Sequence, residues 1–195
     1  MLTVQQIERN KSIITRALLS TKREGMQNLL GYLYNNGFFI GPSSTKHHEA
    51  YMGGNAEHSI QVWLQLREEN KTLPYVKRSQ PDSIAIVALL HDVCKIDNYI
   101  INEDGNISYN KDCVDKRHAE KSIDIIEKFI KLTQEEKEAI KYHMGIYWLP
   151  DYEDTYQEGM ANEIKNYWNE FGSAIKRYPL VYITHVADMK ATYGL

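Results

Sequence analysis

The stretch AIVALLHDVCK, residues 85–95, constrains the fold of this chain more than any other part of it. Its first six residues are apolar on every side of a helix, which is typical of a helix buried in a core rather than laid on a surface. The apolar run ends in His91 and Asp92. The sequence therefore predicts a buried helix that carries an imidazole and a carboxylate at its end.

This adjacent pair has two interpretations. A nitrogen donor beside an oxygen donor suits Mn, Fe, Co, Ni or Zn. Neighbouring helix residues point about 100° apart, so both side chains reach one ion only if it lies near the helix end. A capped helix with a hydrogen-bonded core histidine explains the same dipeptide equally well. Whether further ligands exist elsewhere in the chain decides between the two.

Length and charge limit the classes of partner. The 195 residues, of which 43% are hydrophobic and 25% charged, fit a single globular domain. The net charge of −3 argues against a broad basic surface for nucleic acid. Cys94 and Cys113 form neither a disulfide framework nor a zinc pattern, and no uncharged run approaches the ~20 residues of a membrane span. We expect a soluble cytoplasmic protein with a small anionic substrate, and the sequence leaves a homo-oligomer open.

Local signals predict an all-α fold with one small β-hairpin. Capping boxes, in which a threonine precedes a glutamate or glutamine by three residues, mark helix starts at Thr3, Thr21 and Thr133. An Asp-Gly pair at 104–105 lies between β-branched and aromatic residues. That pattern predicts a hairpin at about 99–109.

Further candidate ligands are spread over the predicted helices. Asp188 stands in ITHVADMKA, an otherwise apolar stretch in which a carboxylate needs a partner. Three histidines fall near helix ends: His58, His118 and His143. Each has an ordinary structural explanation when taken alone. Their joint occurrence with the central pair favours a metal site, because a helical bundle can direct ligands from several helices into one pocket.

The order of these residues resembles the HD-domain superfamily of metal-dependent phosphohydrolases. Three segments carry the likeness, HHEAYMGGNAEHS, ALLHDVCK and ITHVADMKA, and it covers roughly residues 47–193 as an HD core. Residues 1–37 would be an N-terminal helical extension packed on that core. The chain departs from the family pattern at Cys94, where a glycine is usual, and at Asn55-Ala56, where two leucines are common.

The resemblance implies a set of ligands and one or two divalent ions. His58, His91, Asp92 and Asp188 would hold the first ion, which would be Mn, Fe, Co, Ni or Zn, with Mg as an alternative. In two-metal members of the family the aspartate bridges, and histidines at positions like His118 and His143 hold the second ion.

The implied chemistry is hydrolysis at phosphorus. A divalent ion lowers the pKa of a water ligand to roughly 7, and Asp92 and Lys95 would be catalytic. Lys95 would bind substrate and neutralise the phosphoryl oxygens, or else only stabilise a helix C-terminus. His47 and His48 would contact the substrate phosphate, or else be polar loop residues with no role. Cys113 and His185 are expected to be structural.

Three functions follow from this pattern. The first is hydrolysis of a phosphomonoester or phosphodiester, with a nucleotide or short oligonucleotide as the expected substrate. The second is a di-iron oxygenase similar to inositol oxygenase, since candidates for all six of its ligands are present. The third is a non-catalytic, metal-bound binding module. The aromatic and acidic segment at 145–159 is predicted to be a long loop that contributes to specificity.

Overall fold

The computed structural model describes residues 2–102, 104–115, 117–145 and 158–195, with side chains from 162 onward in the last range. These parts of the chain contain eight α-helices: α1 Val4–Ser20, α2 Met26–Asn35, α3 Gly54–Thr72, α4 Pro81–Leu90, α5 His118–Glu127, α6 Gln134–Lys141, α7 Glu158–Arg177 and α8 Pro179–Tyr193. Short 3-10 helices cover Tyr75–Lys77 and Val93–Asp97. Strands β1, Tyr99–Ile101, and β2, Ile107–Tyr109, form an antiparallel hairpin. The predicted all-α fold with one hairpin is confirmed.

Helix α4 is the buried helix that its sequence predicts. It begins with Pro81 at its first turn, where the missing N–H has no intrahelical partner to lose. Every residue from Ser83 to Leu90 is buried, and α4 contacts α1, α3 and α6. Burying one leucine or isoleucine side chain contributes about 1.5–3 kcal/mol. The end of α4 is therefore among the most firmly held points in the molecule.

Two of the predicted capping boxes are present. Thr3 and Gln6 exchange reciprocal hydrogen bonds at the start of α1, and Thr133 and Glu136 do the same at the start of α6. Each box satisfies backbone N–H groups that a helix leaves without partners at its first turn.

The capping box predicted at Thr21 is wrong. The Thr21 hydroxyl instead donates to the Leu18 carbonyl at the end of α1. Gly25 caps α2, with a φ of 83° and no side-chain hydrogen bond. A Cβ at this glycine would lie 1.9 Å from the carbonyl oxygen of Phe129, so the close approach of a distant segment requires glycine here.

One hydrophobic core connects the described helices, and α3 and α8 pack along each other within it. Helix α1 packs on α3 and α4, which places the N-terminal residues against the same core. The predicted loop at 145–159 lies almost entirely outside the described residues. Among the helices that are described, none is both long and apolar enough to pass through a bilayer.

Candidate metal centre

The end of α4 delivers two of the candidate ligands. His91 is the C-cap of α4, and at Asp92 the backbone leaves the helical conformation, with φ −104° and ψ 21°. The chain then enters the 3-10 helix Val93–Asp97. This change of direction lets two adjacent side chains point toward one volume, which a continuous helix would prevent.

Three histidines surround the carboxylate of Asp92. The Nε2 atom of His118 lies 2.9 Å from Asp92 Oδ1, and that of His143 lies 3.5 Å from the same oxygen. His91 Nε2 lies 3.4 Å from Asp92 Oδ2. His118 is the first residue of α5, and His143 lies two residues beyond the end of α6. Each of the three therefore comes from a different helix end.

Asp188 and His58 complete the cluster from the paired helices α8 and α3. His58 Nε2 lies 2.9 Å from Asp188 Oδ1 and 3.9 Å from Asp92 Oδ2. His91 Nε2 lies 3.8 Å from Asp188 Oδ1. The structure thus brings together all six of the ligands that the family resemblance implies: His58, His91, Asp92, His118, His143 and Asp188.

The distances and the unpaired atoms both fit a metal ion. Two donors bound at right angles, each about 2.1 Å from an ion, lie about 3 Å apart. Buried polar atoms are normally hydrogen-bonded. Yet His91 Nε2, His118 Nε2, His143 Nε2 and Asp92 Oδ1 are buried without a hydrogen-bond partner of acceptable geometry. A cation among these atoms would satisfy all of them.

The backbone sets the protonation of two histidines. Nδ1 of His91 lies 2.9 Å from the Ala88 carbonyl, and Nδ1 of His143 lies 2.7 Å from the Ile140 carbonyl. A carbonyl oxygen only accepts hydrogen bonds, so Nδ1 carries the proton in both rings. When the rings are neutral, their Nε2 lone pairs are directed at the cluster, as in metal sites whose outer hydrogen bonds orient the ligands.

The Nδ1 atoms of the other two histidines, His118 and His58, lie near side chains rather than backbone carbonyls. Cys94 Sγ lies 3.2 Å from His118 Nδ1, and Glu49 Oε2 lies 3.5 Å from His58 Nδ1. Sequence reasoning missed Glu49, because a glutamate in a loop without periodicity gives no signal of its own. The signal lay in the glycine pair before α3, because a Cβ on Gly54 would lie 2.0 Å from the Glu49 carbonyl oxygen.

Lys95 is the buried cation of the site. Its Nζ atom donates to Asp92 Oδ2 at 2.6 Å and to Ser43 Oγ at 3.2 Å. Burial opposes the charge on Lys95, but the Asp92 carboxylate raises its pKa above the usual value. Burial likewise favours the neutral acid of Asp92, while Lys95 and His91 hold its pKa well below the usual range. The pair is therefore ionised at neutral pH.

A cavity of about 670 Å³ opens onto this cluster. It is lined by Ser43, Ser44, Thr45, His47, His48, Asp92, Lys95, Tyr99, Tyr109, His118, Met144, Asp188, Met189, Thr192 and Tyr193. His47 is exposed on its wall and lies outside the ligand cluster. The ring of His48 lies 4.7 Å from that of His58, and burial lowers the pKa of His48 to about 4. His48 is therefore neutral at pH 7.

Cys113 and His185, which the sequence assigns to structure, lie behind the site. Cys113 Sγ lies 3.3 Å from Lys121 Nζ. His185 Nδ1 donates to the backbone carbonyl of His143 at 2.8 Å, which fixes the segment that carries this ligand. Sequence reasoning missed Ser43, Tyr99, Tyr109 and Met189 as cavity residues, because a pattern of residue types does not show which elements face one another.

An all-α bundle with two carboxylates and four imidazoles at its centre has a donor set that could hold a divalent metal ion. The family model of the HD domain matches residues 55–169, which is more than half of the chain. The protein therefore belongs to the HD-domain family, whose members are generally metal-dependent phosphohydrolases. Comparisons with curated proteins and with solved structures give no significant match.

Proposed function

We propose that this protein is a metal-dependent hydrolase of a phosphomonoester or phosphodiester, and that its substrate is a nucleotide or short oligonucleotide. The observation that carries the proposal is the cluster of six donors, with Lys95 beside it, at the floor of one open cavity. His58, His91, Asp92 and Asp188 would hold one divalent ion. His118 and His143 would hold a second ion, with Asp92 shared between the two.

The bound ion would polarise the phosphoryl group and lower the pKa of a water molecule from about 15.7 to about 7. Lys95 has a separate task. Its ammonium group is already held by Asp92 and Ser43 at the cavity wall, so it offers positive charge to phosphoryl oxygens with little reorganisation. Charge that develops on those oxygens during hydrolysis would then be stabilised more than the charge of the ground state.

The histidines of the loop before α3 would orient the phosphate. His47 is exposed on the cavity wall, and the neutral ring of His48 has an Nδ1 atom that is buried without a hydrogen-bond partner. A neutral imidazole donates one hydrogen bond. Both residues are therefore proposed to contact phosphate oxygens that the metal ions leave free.

The test is metal reconstitution followed by a substrate screen. The protein is stripped with a chelator and reloaded separately with Mn, Co, Ni, Zn or Mg. It is then assayed for phosphate release from nucleoside monophosphates and sugar phosphates, and for cleavage of dinucleotides to a nucleoside and a nucleotide. Metal-dependent hydrolysis supports the proposal. A protein that binds metal with full occupancy yet hydrolyses none of these compounds contradicts it and supports a metal-bound binding module.

A second candidate function is a di-iron oxygenase, because the six donors that such a centre needs converge in this structure. Purification under anaerobic conditions with iron separates the two candidates. Two irons per chain together with substrate-dependent consumption of dioxygen would favour the oxygenase. Phosphate release that is independent of dioxygen would favour the hydrolase.

A further inference from the structure

The lining of the cavity above the metal cluster combines two kinds of side chain. Lys95, Asp92 and Ser43 supply polar and charged groups. The β-hairpin and the C-terminal part of α8 supply tyrosine and methionine side chains to the same cavity. A ligand that matches the whole lining carries an anionic group together with a flat, largely apolar group.

Two tyrosines form the hairpin wall. Tyr99 and Tyr109 are cross-strand partners, and their ring centroids lie 5.5 Å apart with the ring planes tilted by 48°. Tyr99 is half-buried, Tyr109 is 68% exposed, and neither belongs to the hydrophobic core of the described residues. Because the rings are tilted, they do not cover each other's faces. Much of the Tyr109 ring is therefore left open to a ligand in the cavity.

The hairpin is fixed relative to Lys95. It follows directly from the 3-10 helix that carries Lys95, so Tyr99 is only four residues further along the chain. At the base of the hairpin, Asn110 N donates to the Asn98 carbonyl at 2.9 Å, and Asn110 Nδ2 donates to the Asp97 carbonyl at 2.8 Å. The hairpin tyrosines are therefore joined to Lys95 by a short, hydrogen-bonded segment.

Helix α8 adds further side chains of this kind. Met189 and Tyr193 of α8 line the same cavity, one residue and five residues after the proposed ligand Asp188. Methionine adapts its shape to a flat ring and makes favourable sulfur–aromatic contacts. The cavity thus offers a methionine and a tyrosine from α8 in addition to the two tyrosines of the hairpin.

We propose that Tyr99 and Tyr109 form a stacking subsite for the base of a nucleotide whose phosphate lies at Lys95. The inference rests on the proposed hydrolase function and specifies which part of the substrate the hairpin contacts. Stacking of a base on an aromatic side chain contributes about 1–3 kcal/mol and tolerates any base. The subsite therefore separates nucleotides from sugar phosphates but does not by itself choose among bases.

The experiment compares adenosine 5′-monophosphate with ribose 5-phosphate, which has the same phosphate and sugar but no base. Binding to the Mn-loaded protein is measured by calorimetry, and hydrolysis is measured in parallel. We expect the nucleotide to bind about 5- to 150-fold more tightly, the ratio that corresponds to the stacking energy. Tyr109→Ala should remove this ratio and leave the affinity for ribose 5-phosphate unchanged, whereas Tyr109→Phe should keep it.

Tyr75→Ala is the matched control, because Tyr75 is 83% exposed and does not line the cavity. It should change neither affinity. Equal affinities of the wild-type protein for the two ligands, absence of binding to both, or an equal loss for both ligands in Tyr109→Ala would overturn the inference. If the nucleotide binds through Tyr109 but no phosphate is released from any substrate, the stacking subsite stands and the proposed hydrolase function fails.

Discussion

Two buried carboxylates in this molecule lie in opposite environments. Glu136, at the first turn of α6, is fully buried, and hydrogen-bond donors contact both oxygens of its carboxylate. Its two oxygens accept from the guanidinium of Arg23 at 2.8 and 3.1 Å, from the Ser83 hydroxyl at 2.8 Å and from the Thr133 N–H at 2.8 Å. This charge is satisfied by the protein alone.

Asp92 is equally buried, but its surroundings are different. One oxygen accepts from Lys95, while the other has no hydrogen-bond partner. Around it are histidine Nε2 atoms, and the ring of His143 places its proton on the opposite side, toward the Ile140 carbonyl. When the ring is neutral, its Nε2 lone pair therefore faces a carboxylate, and a cation bound between them would stabilise this arrangement. The comparison shows that the type of partner, rather than burial, distinguishes a structural carboxylate from a candidate metal ligand.

The sharpest test of this comparison removes each carboxylate in turn. Asp92→Ala should lower kcat by more than about 1000-fold, because loss of an outer-shell partner alone costs up to about 100-fold, and this residue is proposed to be shared by both ions. Metal content falls with it, while the far-ultraviolet circular dichroism stays that of a folded helical protein. Near-normal turnover in a folded Asp92→Ala protein would exclude the proposed site.

Glu136→Ala should show the opposite pattern. It leaves Arg23 without its partner and should reduce the free energy of unfolding by about 3 kcal/mol, the lower end for a broken buried pair, since Arg23 is partly exposed. Urea unfolding measures this change. Metal content and kcat per folded molecule should stay within about twofold, because Glu136 lies outside the donor cluster.

The ion pair between Glu136 and Arg23 also predicts how the stability of the fold depends on pH. Burial raises the pKa of Glu136, but the bonds from Arg23, Thr133 and Ser83 hold it below its usual 4.5. Its contribution to stability is therefore complete above about pH 4.5 and is lost as the pH falls through the lower folded pKa. Between pH 4.5 and 3, the wild-type protein should lose more stability than Glu136→Ala does. Parallel losses in the two proteins would show that other carboxylates dominate acid unfolding.

A smaller effect on kcat is expected from substitution of Lys95, which binds the Asp92 carboxylate and lines the cavity. Lys95→Ala should lower kcat and kcat/KM together by about 10- to 100-fold with metal content unchanged, since the contact is made mainly in the transition state. Lys95→Arg should restore activity only in part, because a planar guanidinium does not reproduce a compact ammonium. Full kcat with a lower melting temperature would instead assign Lys95 to helix capping.

The smallest expected effect concerns the second ion position. His118 is the most exposed of the four clustered histidines, with a side chain that is 20% exposed, and its Nδ1 lies against the thiol of Cys94, a weak hydrogen-bonding group. His118→Ala should weaken the second ion by at least about 10-fold and leave the first ion bound. Metal titration followed by elemental analysis would then give one ion per chain instead of two. A wild-type protein that saturates at one ion would show a mononuclear site.

The sequence predicted those features that local chemistry decides. The apolar run of α4, the boxes at Thr3 and Thr133 and the Asp-Gly hairpin each depend on residues close together in the chain. The box at Thr21 failed because the start of α2 is set by contact between Gly25 and a carbonyl more than 100 residues away. The cavity lining could not be predicted for the same reason, since it combines residues of the hairpin and of α8 that are far apart in the chain.

The ligand cluster is built from distant parts of the chain, because His58 and Asp188 are 130 residues apart and meet only where α3 packs on α8. Closing a loop of that length costs conformational entropy, and this cost arises before the contact between the two residues stabilises the fold. A chain still being synthesised therefore lacks Asp188 at the proposed first ion position until α8 has emerged and docked. Tight binding of that ion would then report the docking of α8, and a product truncated before α8 would hold the ion less tightly.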